Sequence, residues 1–497
     1  MTEETLYKPS QPVRLHEVAR WDIETDVIVV GLGAAGACAA IEAASAGARV
    51  SVFELAAAAG GAAALSGGDI YMGGNGGTPI QRAHGFTDES EDMVRYLMMA
   101  GGPNADEAKV RNYVDNSTAH FEWLVAQGVK FKNSFIPEKT VEPQTDDCLI
   151  YSGSEEAFPF VEAAKPCPRG HTPQVWGANG GKYLMEVLAG RVHGLGVDVH
   201  YNARVLALVA DEANRVHGLV VRIDNRNIRV RASRGVVLCA GGFVMNREMV
   251  KQHVPMLLRA SWPSGTNGDD GAGIRLGVSV GGNAINMDQG FVTSPCYPPA
   301  SLIKGIFVNS VGQRYINEDV YHGRLSWHSF QQPGDRIYLL ADSAIYDRPF
   351  YGKELRTGDI IATGETWAEV ERELQLPAGA LVSTVELYNR FAEEGEDPLF
   401  HKAKQWLKPL NEPPFVALDY RIDLGVYSSF TLGGLDTLPT GEVLTADRAV
   451  IGGLFAAGRT ACGLPRWGQG YSSGMSVGDA TFSGRMAGRQ AAAIGSL

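Results

Sequence analysis

An α/β fold with a parallel sheet flanked by helices is what this 497-residue sequence predicts, and three observations predict it. A β-branched run, Val27 to Val30, is followed by Gly31-Leu-Gly33-Ala-Ala-Gly36, an Ala-rich stretch to about Ala46 and a second apolar run, Val50 to Phe53, that ends on Glu54. Glycine supplies 60 of the 497 residues, well above its average share of about 7%, and it clusters instead of repeating. A later run, GVVLCAGGF at 235–243, again closes an apolar strand on glycines.

Each element has its own reason. The Val27 to Val30 run is short and uncharged, as a strand buried on both faces requires. Gly31 permits the tight turn, Gly33 lets a pyrophosphate approach the backbone, and Gly36 lets helix and strand pack closely. The helix N-terminus then faces the phosphates, and Glu54 accepts hydrogen bonds from ribose hydroxyls. A lone Gly-x-Gly-x-x-Gly is weak evidence; with strand, helix and terminal acid in order it predicts a Rossmann-like dinucleotide site. The glycines at 60–77 cannot sustain a helix or strand interior, and read as backbone laid against a large planar ligand. Residues 88–130 read as helical, ending at Gly128, and the Pro- and Gly-dominated 133–181 as loop. A helix at about 182–195 leads into short strands at 197–233, with 235–243 as another strand. Residues 286–414 carry fewer Gly clusters and more aromatic and charged residues, and read as a second domain. The Gly-rich style returns at 415–497 and ends as a helix.

Composition narrows the function. There is no low-complexity block and no Gly-X-Y period, so disorder and collagen are excluded. Lys and Arg total 44 against 56 Asp and Glu, a net charge of -12. An acidic chain without a basic block is a poor partner for nucleic acid. The start is polar, without a hydrophobic signal run, and no window is apolar enough to span a membrane. The expectation is a soluble cytoplasmic protein. The cysteines, Cys38, Cys148, Cys167, Cys239, Cys296 and Cys462, form no CxxC, and the eleven histidines no HxxxH, so scattered thiols and no metal site are expected.

Six motifs then fall in one order: GLGAAG with Glu54, GGAAALSGGD, GVVLCAGGFVMN, NGDDGAGIRLG, TLGGL and GLFAAGR. In these the chain resembles the FAD-dependent fumarate reductase / 3-ketosteroid dehydrogenase superfamily, over residues 24–497. VGQRYINE (311–318) and VELYNRFAEEGEDPLFHK (385–402) resemble its capping domain. The resemblance implies a Rossmann-like FAD-binding domain of parallel sheet, helices and antiparallel β-meander, in segments 1–285 and 415–497. An inserted α+β catalytic capping domain would occupy 286–414. FAD would be held non-covalently, since no His lies between Leu55 and Ala83. Its diphosphate would meet Gly31, Gly33, Ala34, Ala35 and Gly36, and its ribose Glu54, beside Leu55. Gly61 and Ala62 lead to Ser66, Gly67, Gly68 and Asp69, along which the isoalloxazine would lie. Val205 would meet adenine. Ala240, Gly241, Asn246 and Asp270 enter through the two middle motifs, and Gly458 and Arg459 through the late one. Met475, Ser476 and Val477 would sit by the flavin's pyrimidine edge. Arg459 departs from the GLYAAGE that relatives often show.

The substrate side separates the subfamilies. Fumarate reductases resemble one another in a late NRLGGN segment whose Arg grips a carboxylate; counting back from Ser483-Gly484-Arg485, that place here is Tyr471. A second family arginine follows RFxNE; here RYINEDVYHGR puts Tyr321 and His322 near it. His171-Thr172-Pro173 keeps the look of the dicarboxylate site. A dicarboxylate needs bidentate cations, whereas a phenol donates a hydrogen bond to a neutral carbonyl and stabilises its enolate. Tyr321, Tyr471 and Ser473 match the pattern of 3-ketosteroid Δ4-(5α)-dehydrogenases. The Δ1-dehydrogenases use a Tyr-Pro-Gly-Pro-Gly style segment and an additional early Tyr, and YSSGMS lacks those prolines. The resemblance implies α,β-dehydrogenation of a 3-ketosteroid: Tyr471 polarises the C3 oxygen, Ser473 takes the C4 proton, and the flavin takes hydride from C5. Serine alone is a weak base, so Tyr321 is either the relay or the effective base. The alternatives are a Δ1-dehydrogenase and a reductase of a small unsaturated acid, with Arg314, Arg324 and Arg466 as its cationic clamp. His322 reads as structural. Phe291, Tyr297, Trp327 and Trp467 read as core or as steroid-pocket lining. No second dinucleotide fingerprint is visible, so an external electron acceptor is expected.

Overall fold

The structure, a computed structural model, describes residues 11–140, 143–294, 298–349 and 352–495. Cys296 and Tyr297 lie outside the described residues. The centre is a sheet of nine described strands. Ile23–Val30 pairs in parallel with Val50–Phe53 on one side and with Arg226–Leu238 on the other. Val27, Ile28 and Val29 are wholly buried, which is why the second half of this strand, Val27 to Val30, is continuously apolar instead of alternating. Arg204–Ala210, Val216–Ile223 and Arg226–Leu238 form the antiparallel meander. The expected separate strands at 197–233 and 235–243 are joined here. Arg226–Leu238 is one 13-residue strand, with a register shift between Ala232 and Gly235. Its first half pairs with the meander and its last residues with Val450–Ala456.

Helix Ala34–Ser45 carries almost nothing larger than alanine because it is covered on both sides. Helix Met475–Ala493 lies against it through Gly484 and Gly488. A Cβ at either would stand 2.2 Å from the carbonyl oxygen of Ala35 or Ala39, so only glycine lets these backbones approach.

The segment 133–181 is more ordered than its composition suggests. Phe135–Ile136, Leu149–Ile150 and Gly170–His171 join Ile70–Tyr71 in a four-stranded sheet. Two-residue strands have no periodicity to read. Residues 88–130 form two helices, Ser90–Gly101 and Glu107–Ala126.

A second antiparallel sheet, in the order Ile306–Val308, Tyr338–Asp342, Phe415–Asp419, Ile360–Gly364, carries helices Trp367–Glu373 and Ala380–Glu394. Its third strand lies beyond position 414. A buried ion cluster braces it: Arg314 meets Glu318 at 2.7 Å and Asp397 at 2.8 Å, and Lys402 meets Glu318 at 3.0 Å. A smaller, three-stranded sheet joins Trp262–Pro263, Ser428–Thr431 and Gly290–Thr293. Among the described residues no helix is long and apolar enough to cross a membrane, and no three His, Cys, Asp or Glu side chains converge as a metal would need.

Candidate functional site

A cavity of about 510 Å³ opens beyond the carboxyl ends of the parallel strands and runs to the three-stranded sheet. That is where open α/β sheets bind ligands.

At one end the wall is backbone. Gly31 has φ +97°, and a Cβ there would lie 2.5 Å from the Cys239 carbonyl oxygen. Gly33 is the N-cap of helix Ala34–Ser45 and gives it no side-chain cap. The first-turn N–H groups of that helix therefore face the cavity alongside Ala34 and Ala35, with the positive end of the helix dipole behind them. Gly36 is absent from the wall; its missing Cβ leaves room for the Gly31 carbonyl, 1.9 Å from where that atom would be. Glu54 lines the cavity, and its two oxygens accept the N–H groups of Leu32 (2.5 Å) and Ala56 (2.7 Å). Leu55, Gly61, Ala62, Ser66, Gly67, Gly68 and Asp69 continue the wall. They are held by helix Gly180–Gly194, whose Gly181 N–H donates to the Ser66 carbonyl at 3.1 Å.

Val205, Ala240, Gly241, Asp270, Gly458, Arg459, Ser476 and Val477 also line this cavity. Besides Gly36, two expected residues do not. Asn246 faces away: its Oδ1 accepts the Met249 N–H as a helix N-cap, and its Nδ2 donates to the Asp270 carbonyl at 2.9 Å. Met475 packs in the side-chain core. Sequence reasoning also missed Asp269, a buried wall residue that accepts the N–H groups of Gly242 and Thr266 and pairs with Arg459 at 3.4 Å. Its signal was the doubled aspartate of NGDDGAG, of which only Asp270 was singled out. The Arg459 guanidinium lies over the Phe430 ring, 5.1 Å from its centroid.

At the other end the wall is side chains. Tyr321, Tyr471 and Ser473, distant in sequence, all line it. The Tyr321 and Tyr471 rings are 6.4 Å apart, and Phe291 packs on Tyr471 at 4.3 Å. Phe430, unmarked in the sequence, meets Tyr471 edge-on at 5.5 Å. Burial pushes the Tyr471 phenol above its usual pKa, against the opposing pull of Ser476 and Arg459. It is therefore a neutral donor at physiological pH. The two adjacent serines divide. Ser472 is buried, with its hydroxyl 2.7 Å from the Tyr96 phenol, whereas Ser473 faces the cavity. His322 also lines it, against the Tyr321 ring at 4.3 Å, and burial pulls its pKa down to about 3, so the imidazole is neutral.

The cationic clamp does not assemble. Arg314 is held in its ion cluster, and Arg466 donates to the carbonyls of Gly463, Asn104 and Cys462. Arg324 donates to the Gln469 carbonyl and lies over Phe160. None of the three is on the wall. His171 is buried between Thr78 Oγ1 (2.8 Å) and the Arg169 carbonyl (2.9 Å), also off the wall. The wall arginines, Arg204 and Arg459, are paired with Asp270 and Asp269. Of the aromatic candidates Phe291 lines the cavity; Trp467 packs over Gly102 and Trp327 over Gly468.

A glycine crevice at the carboxyl ends of a parallel sheet is a dinucleotide site, and the FAD binding domain family matches residues 26–474, so the chain belongs to that family. FAD is its cofactor, and the uncapped helix end and the close-packed glycines fit a dinucleotide laid against backbone. Among solved structures the chain is similar to 3-ketosteroid-Δ4-(5α)-dehydrogenase from Rhodococcus jostii RHA1, in complex with 4-androstene-3,17-dione. The two are 42% identical, covering 97% of this chain and 99% of that one, with a TM-score of 0.89. It is also 28% identical to the 3-oxo-5-alpha-steroid 4-dehydrogenase of Comamonas testosteroni, over 88% of this chain and 93% of that one. A probable fumarate reductase of Shewanella frigidimarina is 27% identical over 94% of this chain and 75% of its own length.

Proposed function

We propose that this protein is an FAD-dependent 3-ketosteroid Δ4-(5α)-dehydrogenase, which introduces the C4–C5 double bond into 3-keto-5α-steroids. The observation that carries this reading is the chamber wall: two phenols, a serine hydroxyl and two phenylalanines, with Arg459, which lies over Phe430, paired to Asp269. A neutral ketone on an apolar skeleton fits that wall, and a dicarboxylate finds no cation to pair with.

Gly31, Gly33, Ala34 and Ala35 would hold the FAD diphosphate and Glu54 the ribose. Ser66 to Asp69, with Ser476 and Val477, would hold the flavin ring. When bound, FAD supplies a two-electron acceptor for the hydride from C5. Tyr471 donates a hydrogen bond to the C3 oxygen and stabilises the negative charge that develops there. That charge acidifies C4, Ser473 accepts the C4 proton, and Tyr321 carries it onward. Loss of H⁺ from C4 and H⁻ from C5 leaves the C4–C5 double bond.

The chain divides into an FAD domain in two segments, 1–285 and 415–497, around a cap at 286–414 whose sheet borrows Phe415–Asp419. The protein acts in the cytoplasm and passes its electrons to an external acceptor. The test is turnover of a 5α-saturated 3-ketosteroid with an artificial acceptor. A Δ4-3-ketone is the expected product. A Δ1 product, or flavin oxidised by fumarate but never reduced by steroid, overturns the reading.

A further inference from the structure

The segment whose composition reads as loop contains a buried turn behind the chamber, Ser152-Gly153-Ser154-Glu155, with its Ser and Glu side chains no more than 3% exposed. This turn touches both catalytic segments. The Ser473 N–H donates to the Ser152 carbonyl at 2.9 Å, and Ser152 Oγ donates back to the Ser473 carbonyl at 3.1 Å. Two residues on, Ser154 Oγ accepts the Tyr321 N–H at 3.0 Å. The Ser154 N–H donates to the Tyr96 phenol oxygen at 3.0 Å, and that oxygen lies 2.7 Å from Ser472 Oγ.

Gly153 fits between these contacts because it has no side chain. A Cβ would stand 2.3 Å from Ser472 Oγ and 2.4 Å from the Tyr96 hydroxyl. Glu155 closes the turn by accepting the Gly153 N–H at 2.9 Å. Neither Tyr321 nor Ser473 sits in a sheet ladder or a helix interior: Tyr321 is the N-cap of helix His322–Phe330, its carbonyl accepting the Leu325 N–H at 3.1 Å, and Ser473 lies in the turn before helix Met475–Ala493, so each is tied to a helix on one side only. Their backbones are registered against each other through one turn from a third part of the chain.

We infer that Ser152 to Ser154 form a positioning clamp that sets Tyr321 and Ser473 relative to one another, with Ser154 the positioning residue for Tyr321. The inference rests on the dehydrogenase reading, in which the C4 proton passes between those two groups. A proton relay fails when its members move by about an ångström, and such misplacement costs about 10²-fold.

The experiment is a double-mutant cycle on the flavin-loaded enzyme. Ser154→Ala is expected to lower kcat by about 10- to 100-fold while KM and the flavin absorbance stay at wild-type values. On a Tyr321→Phe background the same change is expected to add nothing, because the relay it serves is already lost. An equal loss in both backgrounds, or a lower melting temperature with unchanged kcat, overturns the clamp. Should Ser154→Ala fail to fold, Ser152→Ala paired with Ser473→Ala gives the same cycle, with additivity again overturning the clamp. Tyr321→Phe turning over at the wild-type rate overturns the dehydrogenase mechanism itself, and is told apart from failure of the clamp by that single variant.

Discussion

The two ends of the cavity are made of different material. The dinucleotide end is largely backbone and small residues, from Gly31, Gly33, Ala34 and Ala35, with Glu54 twenty-odd residues on, and from the glycine-rich stretches at 61–69 and 240–241. The chamber end is side chains from separate segments of the chain, among them Phe291, Tyr321, Phe430, Tyr471 and Ser473. A phosphate is recognised by N–H groups that every sequence possesses, so what matters is where side chains are missing. A ketone is recognised by particular hydroxyls, so what matters is which side chains converge.

That contrast can be broken in order of effect. Gly31→Ala is expected to abolish flavin binding, because it sets a Cβ against the Cys239 carbonyl at a positive φ. Folded protein purified with full flavin absorbance would refute the backbone-approach argument. Tyr471→Phe is expected to keep the flavin and lose about 10²–10³ in kcat, the usual cost of deleting an oxyanion donor. Unchanged turnover would remove the phenol from the mechanism.

The third effect is on stability. His322 has its pKa depressed to about 3 by burial, below its unfolded value of about 6.5. Between those values the unfolded chain binds the extra proton. Through this group, stability is therefore greatest above pH 6.5 and falls as the pH drops toward 3. Melting temperatures across that window should fall more gently for His322→Gln; an unchanged slope would show that the imidazole is accessible to protons when folded. The smallest effect is expected at Asn246, where Asn246→Ala should cost about 1 kcal/mol as a lost N-cap and leave flavin affinity alone. Weakened flavin binding would return Asn246 to the cofactor wall.

The same contrast explains what could be read in advance. The Val27–Glu54 unit, its strand limits at Val50 and Phe53 included, was legible because periodicity and glycine spacing are local properties. Tyr471 and Ser473 were legible through resemblance, not through physics. Ser472 and Ser473 are equivalent by spacing, and only Tyr96, some 376 residues away, draws one of them out of the chamber. The turn at Ser152 was invisible because strands of two residues carry no pattern and its purpose lies in partners at 321 and 473. Asn246 misled for the opposite reason: it lies inside a cofactor motif but caps the helix after it.

The glycine seam between helices Ala34–Ser45 and Met475–Ala493 has a consequence for synthesis. The face of the phosphate-facing helix that Gly484 and Gly488 cover is made early by the ribosome and stays bare until residue 493 has left the exit tunnel. Flavin loading is therefore expected only once helix Met475–Ala493 has emerged. Nascent chains stalled with residues only to 470 exposed should take up no FAD, and chains exposed past 493 should; early uptake would mean that the crevice closes without its cover.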